Sequence, residues 1–340
     1  PTEHDAYCYS IIFKTNIASI NPDFRCDIYS NIHGEEEYIK ANIDTKIGLK
    51  IALINQGCNI TLDAENYLKS KGLIKQAVFS AIDFRLADGM PINAPINLKF
   101  GELSPFIIHY NGNLTLYYYD REISKITIEL EPEWNSRCTK NGVQFNRIAY
   151  LSTDRLRLKH ESVCKFKESG NGCLFCNIPK RSIKFTQEDF DEVLDVLLPH
   201  PTFRHILIGG GSGDPIFESE HIIELAKKIR VRNKEMPIYL MSIPPANSET
   251  LQAYKEAGIT EVAFNIEIWD RTIAQKLMPG KGKISLSHYI HILRESTNIW
   301  GKEGNVRTAL IVGLNQSSLL LEATEYLCRL GIQPMFSVFR

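Results

Sequence analysis

The sequence predicts an α/β protein in which a partial (β/α)6 barrel over residues 148–340 follows an α+β domain with an antiparallel sheet over residues 1–147. Two observations support this fold class. From about residue 147 onward, short apolar runs typical of buried strands alternate with helical patterns. Before that point, alternating strand patterns flank a turn dipeptide. The six strands of the second region are too few for a closed eightfold barrel, and a doubly wound sheet is the alternative.

The first region is predicted to contain a β-hairpin. Asn111-Gly112 has the residues of a tight turn, and alternating apolar runs precede and follow it. The elements predicted in this region are a strand at 46–60, a helix at 61–71 that ends at Gly72, hairpin strands at 106–110 and 114–119, and a third strand at 126–130. We recognise no catalytic motif in them and assign no catalytic residue.

The second region repeats a strand and a helix. Its predicted strands lie at 155–160, 205–208, 238–242, 261–267, 306–312 and 333–338. One predicted helix follows the capping box Thr186–Asp189, and a short one follows Asp270. The other predicted helices lie at 219–232, 248–257, 285–296 and 317–330. Asp214 is predicted to cap a helix rather than to bind a ligand. Because strands joined by such helices run parallel, functional residues are expected at the carboxyl ends of the strands.

Composition excludes several classes of protein. A net charge of −1 gives no sign of a nucleic-acid partner, and the eight cysteines are too dispersed for a small disulfide-rich secreted domain. No run approaches about 18 apolar residues, and no signal-peptide pattern opens the chain, so we predict a reduced, cytoplasmic protein without a membrane partner. Since the sequence begins with Pro1 and ends in an apolar run at Arg340, residues are expected to be missing at both ends.

Three cysteines in one loop indicate a metal centre. Cys164, Cys173 and Cys176 form a Cys-x8-Cys-x2-Cys pattern directly after the strand predicted at 155–160. Three thiolates leave one iron of a four-iron cluster open to a small molecule, which is what a catalytic cluster requires. The alternative is structural zinc with His160 as fourth ligand. It is disfavoured because His160 is predicted to lie on the strand and because a zinc ribbon normally has two paired cysteine knuckles.

The cysteine loop, its position after the first strand and the strand–helix repeats together resemble the radical S-adenosylmethionine (SAM) superfamily, which has a TIM-like barrel. The usual pattern there is Cys-x3-Cys-x2-Cys, so the first gap is wider in this sequence. The resemblance implies a [4Fe–4S] cluster on Cys164, Cys173 and Cys176, and SAM as second cofactor. More faintly, Met90–Pro95 and Ser104–Phe106 resemble a bacterial subfamily encoded beside nitrilase-type genes.

The same resemblance implies contacts with SAM. In that family, the aromatic residue before the third cysteine and the turn after strand five contact the adenine; here these are Phe175, Val312 and Gly313. The glycine turn after strand two receives the methionine amino group, and it corresponds to Gly209, Gly210, Gly211 and Ser212. An acidic residue on strand four binds the ribose, and it corresponds to Glu267. Ser242 and Arg307 are candidate contacts of the methionine carboxylate, with structural roles equally open. Pairing with Arg307 is the alternative for Glu267.

These residues predict a radical SAM enzyme. The expected reaction is reductive cleavage of SAM to a 5′-deoxyadenosyl radical, which abstracts hydrogen from a small-molecule or peptide substrate. An external one-electron donor of the flavodoxin or ferredoxin type is implied. Two alternatives are cleavage of another C–S bond with 3-amino-3-carboxypropyl transfer, and a non-catalytic zinc or iron–sulfur binding module. The first domain is expected to bind substrate, close the barrel or mediate association.

Overall fold

The computed structural model describes residues 43–72, 81–96, 104–128, 132–152, 155–160, 163–176, 178, 184–199, 201 and 203–338. Described residues up to Asn135 form one compact unit, and those from Ser136 onward form a second. The domain limits expected from the sequence, with a boundary after residue 147, stay a prediction. Among the described residues, no helix combines the length and the apolarity that crossing a bilayer requires.

The first unit contains a mostly antiparallel sheet. Its elements are α1 (Lys46–Gln56), β1 (Asn59–Ile60), α2 (Leu62–Ser70), β2 (Ala81–Leu86), β3 (Pro91–Pro95), β4 (Phe106–Tyr110), β5 (Leu114–Tyr118) and β6 (Arg121–Thr127). The strand order is β1-β4-β5-β6-β2-β3, and only the β1–β4 pair is parallel. The predicted hairpin is confirmed as β4 and β5, and the predicted helix at 61–71 is confirmed as α2.

Two elements of this unit differ from their predictions. The strand predicted at 46–60 is wrong, because residues Lys46–Gln56 form α1. Thr45 caps this helix by accepting a hydrogen bond from the Gly48 amide, and Leu49 and Leu53 recur at helical spacing and are buried. The third strand, predicted at 126–130, begins earlier and spans Arg121–Thr127, since it pairs with β5 directly after a short turn.

The second unit contains a sheet of seven strands. Its strands are β7 (Ala149–Ser152), β8 (Arg155–Lys159), β9 (His205–Gly209), β10 (Ile238–Ser242), β11 (Glu261–Phe264), β12 (Val306–Val312) and β13 (Gln333–Val338). Its helices are α3 (Lys165–Glu168), α4 (Gln187–Leu197), α5 (Pro215–Arg232), α6 (Glu249–Glu256), α7 (Arg271–Leu277), α8 (Leu286–Trp300) and α9 (Ser317–Arg329). From β8 to β13 the strands are parallel neighbours in chain order, and β7 pairs antiparallel with β8. The predicted parallel α/β architecture is confirmed.

The parallel sheet is curled. The Tyr239 hydroxyl on β10 lies 3.6 Å from the sulfur of Met335 on β13. These strands are three places apart, which amounts to roughly 14 Å in a flat sheet. Contact between their side chains therefore requires that the sheet bends toward this face, which we call the concave face. On the other face, Leu240 and Val262 are fully buried.

Candidate functional site

The cysteine loop is built on a short helix. Cys164 precedes α3, and its carbonyl oxygen accepts hydrogen bonds of 3.0 Å from the amides of Lys167 and Glu168. The Lys167 ammonium in turn donates to the carbonyl of Cys176. The wide first gap therefore contains a helical turn that is tied back to the loop. Cys164, Cys173 and Cys176 are half-buried free thiols on the same loop.

The glycine turn after β9 packs directly against this loop. The Phe166 amide donates to the Ser212 carbonyl at 3.3 Å, and the Cys164 thiol lies 3.5 Å from the same oxygen. A Cβ atom on Gly211 would lie 2.6 Å from the backbone nitrogen of Cys164. Glycine at this position therefore lets the two loops approach. The turn ends at Asp214, which accepts from the amides of Ile216 and Phe217 and caps α5, as predicted.

Substitution of Gly211 by alanine is expected to separate the two loops. The methyl group would overlap backbone rather than a movable side chain, so we expect at least about 1–3 kcal/mol of destabilisation and loss of most bound iron after reconstitution. Gly301→Ala is the matched control, because its Cβ would meet no atom within 4 Å although its φ of 81° is strained. It should lower stability by about 1–2 kcal/mol and keep full iron content. Thermal unfolding and iron assay test both; equal iron in the two variants would contradict the role of Gly211.

His160 supports the glycine turn and does not face the thiols. Its Nε2 lies 3.3 Å from a carboxylate oxygen of Glu218, and both side chains are buried. The other oxygen of Glu218 accepts from the Gly213 amide at 3.2 Å. The side chain proposed as a fourth zinc ligand is therefore directed to an acidic partner below the turn. The sequence did not single out Glu218, because His160 lies far away from it along the chain.

Glu267 lies in a strained loop at the carboxyl end of the sheet. The strand predicted at 261–267 ends at Phe264, and Glu267 has a φ of 64°, a left-handed conformation unusual for a residue other than glycine. The backbone stays attached to β12, since its amide donates to Ala309 and its carbonyl accepts from Ile311, both at 2.8 Å. Asn315 also donates to this carbonyl, at 3.2 Å. This conformation directs the Glu267 side chain to Lys281.

Glu267 and Lys281 form a largely buried ion pair of 3.1 Å. Burial alone would lower the pKa of Lys281, but the Glu267 carboxylate outweighs it, so the pKa is raised above the ordinary lysine value. The segment that carries Lys281 is tied to the cysteine loop, because the Gly280 amide donates to the Asn171 carbonyl at 2.9 Å. Sequence reasoning did not single out Lys281.

Arg307 does not reach this group, and the alternative pairing of Glu267 with Arg307 is wrong. Arg307 is the second residue of β12 and forms an ion pair of 2.7 Å with Glu261, the first residue of β11. Its guanidinium lies 5.0 Å from the centre of the Tyr239 ring. These positions are at the amino ends of the strands. The buried Ser242 hydroxyl donates to the Ile243 carbonyl at 2.7 Å, and its predicted contact with the methionine carboxylate stays a prediction.

Apolar residues that follow β11 or lie at the end of β12 and just after it pack against one side of the cysteine loop. Cys173 and Phe175 pack against a buried group formed by Ile268, Ile273, Ala274, Leu277, Met278, Ile311 and Leu314. Burial raises the pKa of the Cys173 thiol to about 11, and the Lys281 ammonium opposes this shift. Since metal ligation requires the thiolate, a nearby cation favours ligation by Cys173. Val312 and Gly313 lie at the exposed end of β12, and their predicted contacts with SAM stay predictions.

The donor set fits an iron–sulfur cluster. Three thiols lie on one half-buried loop beside a cation, and charge interactions link Cys173 to both Cys164 and Cys176. Within the described part of the chain, no three His, Cys, Asp or Glu side chains converge as ligands of a single metal ion do. A four-iron cluster binds each thiolate at a different iron, so its ligands stand further apart. Because His160, the candidate fourth zinc ligand, is directed to Glu218, the donor set favours the cluster over structural zinc.

Parts of this chain are similar to known proteins. Residues 163–318 match the family model described as the Radical SAM superfamily. Bacteriochlorophyllide c C-7(1)-hydroxylase of Chlorobaculum limnaeum is 18% identical over 233 residues, which cover 61% of this chain and 58% of that protein. The crystal structure of HydG, a maturase of the [FeFe]-hydrogenase, aligns with 54% of this chain and 41% of its own, at 16% identity and a TM-score of 0.41.

The matched segment coincides with the candidate site. It begins next to Cys164 and includes the glycine turn, Glu267 and the end of β12. Members of this superfamily use a [4Fe–4S] cluster and SAM, and the three thiols supply the protein ligands that such a cluster requires. The chain therefore contains a radical SAM domain over residues 163–318.

Proposed function

We propose that the chain cleaves SAM reductively to a 5′-deoxyadenosyl radical that abstracts hydrogen from a small-molecule or peptide substrate. When bound on Cys164, Cys173 and Cys176, the cluster would supply the electron that breaks the carbon–sulfur bond, after reduction by a flavodoxin- or ferredoxin-type donor. The observation that carries the proposal is the direct packing of the three-cysteine loop on the glycine turn after β9.

We infer that the second unit is a partial (β/α)6 TIM-like barrel. Six parallel strands in chain order, without a reversal point, support a singly wound sheet. Right-handed crossovers that always advance in one direction place the helices on one face, and the contact of Tyr239 with Met335 indicates that the other face is concave. The doubly wound alternative requires a reversal of strand order, which these six strands lack.

The residues at the carboxyl ends of the strands have separate proposed roles toward SAM. The backbone of Gly209–Ser212 would receive the methionine amino group, and the Glu267 carboxylate would bind the ribose hydroxyls. Phe175, Val312 and Gly313 would enclose the adenine. Arg307 is not included, since it is paired at the amino ends of the strands, and Ser242 stays a candidate contact of the methionine carboxylate.

Anaerobic reconstitution tests the proposal. We expect about four iron and four sulfide per chain, and formation of 5′-deoxyadenosine from SAM after addition of dithionite. Zinc at one equivalent without SAM cleavage would contradict the proposal and favour a binding module. Methylthioadenosine in place of deoxyadenosine would instead indicate 3-amino-3-carboxypropyl transfer. Mass spectrometry of the nucleoside product distinguishes these outcomes.

A further inference from the structure

Two cations of β8 lie on the concave face of the sheet. Arg157 pairs in register with Leu207 on β9, and Lys159 pairs with Gly209. Leu207 packs with Tyr239 in the apolar group of the concave face. Residues paired directly on neighbouring parallel strands project to the same side, so Arg157 and Lys159 share this face. The intervening residue of β8, Leu158, is fully buried on the other side.

Neither cation has an acidic partner among the residues that the structure describes. The buried Nε of Arg157 donates no hydrogen bond, and its guanidinium lies 5.7 Å from the centre of the Tyr150 ring. Burial lowers the pKa of Lys159, and the charge of Arg147 lowers it further. A cation taken out of water without a counter-ion is unfavourable, and the positive charge of Arg147 repels that of Lys159.

Other half-buried cations of the second unit have polar partners. Lys281 has Glu267, Arg307 has Glu261, and Lys228 and Arg232 share Asp191. Arg230 and Arg271 donate to backbone carbonyls. Lys159 and Arg157 therefore depart from a pattern that this unit otherwise follows. Two unpaired cations on one strand, two residues apart and on the same face, are spaced to bind the two oxygens of one carboxylate or phosphate group.

We propose that Lys159 and Arg157 bind an anionic group, a carboxylate or a phosphate, of the enzyme's substrate. This inference rests on the proposed function, because it assigns the chemical class of the molecule that the radical attacks. Lys159 ends β8 directly before the cysteine loop, and Arg157 lies one pleat repeat deeper in the sheet. An anion held by both would extend from the cofactor end of the strands into the concave face. Gly209 beside Lys159 carries no side chain that would fill this space.

Titration with inorganic phosphate and with succinate tests the site. The probes are added to the reconstituted full chain in a calorimeter, and to Lys159→Gln, Arg157→Gln and the control Lys227→Gln, an exposed lysine of α5. We expect saturable binding by the wild type, at least about tenfold weaker in each of the first two variants and unchanged in the control. Tighter binding of phosphate than of succinate would indicate a substrate with a phosphate group, and the reverse order would indicate a carboxylate. No saturable binding of either anion, or equal binding by all variants, would overturn the proposal.

Thermal unfolding provides an independent readout. Without added anion, Lys159→Gln is expected to unfold at a higher temperature than the wild type, because the substitution removes an unpaired cation. Phosphate should raise the unfolding temperature of the wild type and leave that of Lys159→Gln nearly unchanged. A lower unfolding temperature for the variant, together with unaltered phosphate binding, would show that Lys159 is structural and would overturn the proposal.

Competition with SAM separates a substrate site from a cofactor site. If Lys159 and Arg157 hold the substrate, phosphate should bind with undiminished affinity at saturating SAM. Loss of phosphate binding in the presence of SAM would assign the cations to the methionine carboxylate and overturn the proposal. Absence of deoxyadenosine formation by the wild type would contradict the proposed function, while the phosphate and succinate titrations would still report on the two cations. Equal binding of phosphate by the wild type and by Lys159→Gln would indicate an adventitious ion only, and would overturn the proposal.

Discussion

Replacement of Cys173 by alanine is expected to abolish both stable iron binding and SAM cleavage. The substitution leaves only Cys164 and Cys176 from the loop, and two thiolates do not hold a four-iron cluster that must keep one iron open. We expect 5′-deoxyadenosine formation to fall by at least about 1,000-fold, to the level of the background. Iron and sulfide assay, electron paramagnetic resonance after dithionite reduction, and product analysis by mass spectrometry measure the three expected losses.

Cys138→Ala is the matched control for this prediction. Cys138 is an exposed free thiol whose backbone forms an isolated β-bridge with Gln144, and it lies outside the cysteine loop. Its replacement should leave iron content and product formation within experimental error. Full iron binding by Cys173→Ala, or equal loss in both variants, would show that Cys173 is not a cluster ligand. The same comparison applies to Cys164 and Cys176.

Local signals predicted most of the second unit correctly. The capping box at Thr186 and the cap at Asp214 both form as expected, because they depend on residues only two or three positions apart. Each of the six parallel strands contains a short apolar run or alternates apolar and polar residues, so the presence of these strands follows from the residues themselves. Only their ends differ, as in β11, which stops at Phe264 because the chain then adopts the left-handed turn at Glu267.

The helix α1 shows where local reasoning fails. Its sequence is an apolar run with few polar interruptions, which suits a buried strand as well as a helix. The decision comes from the Thr45 cap and from packing of Leu49 and Leu53 in the core of the first unit. Packing partners separated along the chain are not visible in a window of about 11–18 residues. Tertiary contacts therefore override the strand pattern.

The sequence predicted which residues lie at the candidate site, but it did not predict which charged residues pair with one another. The order of strands places Cys164, Gly211 and Glu267 at one edge of the sheet, and the structure agrees. Which charged residues form ion pairs depends on the conformation of the loops and on the position of each residue between the amino and carboxyl ends of its strand. Arg307 is one strand away from Glu267 but lies near the opposite end of its own strand, so it pairs with Glu261. His160 and Glu218 likewise meet only in the folded chain.

Separation of the Glu267–Lys281 pair is expected to have the largest effect on stability. Lys281→Met leaves a carboxylate without its counter-ion, and Glu267→Gln leaves an ammonium without one, so each should lower the free energy of unfolding by about 3–5 kcal/mol. Because the pKa of Lys281 is raised in the folded state, the pair stabilises fully below the ordinary lysine pKa of about 10.4. This contribution is lost as pH rises through the folded-state pKa. Urea unfolding at pH 7 and at higher pH measures both effects.

The double variant Glu267→Gln with Lys281→Met distinguishes a purely structural pair from a cofactor contact. Removing both charges leaves no unpaired ion, so most of the lost stability should return. If Glu267 binds the ribose hydroxyls of SAM, the affinity for SAM should stay about 10–100-fold lower than in the wild type, since a hydrogen bond to a charged group contributes about 1.5–3 kcal/mol. Calorimetric titration of the reconstituted protein with SAM measures this affinity. Recovery of both stability and SAM affinity would restrict Glu267 to holding Lys281 beside Cys173, and would leave the ribose to another residue.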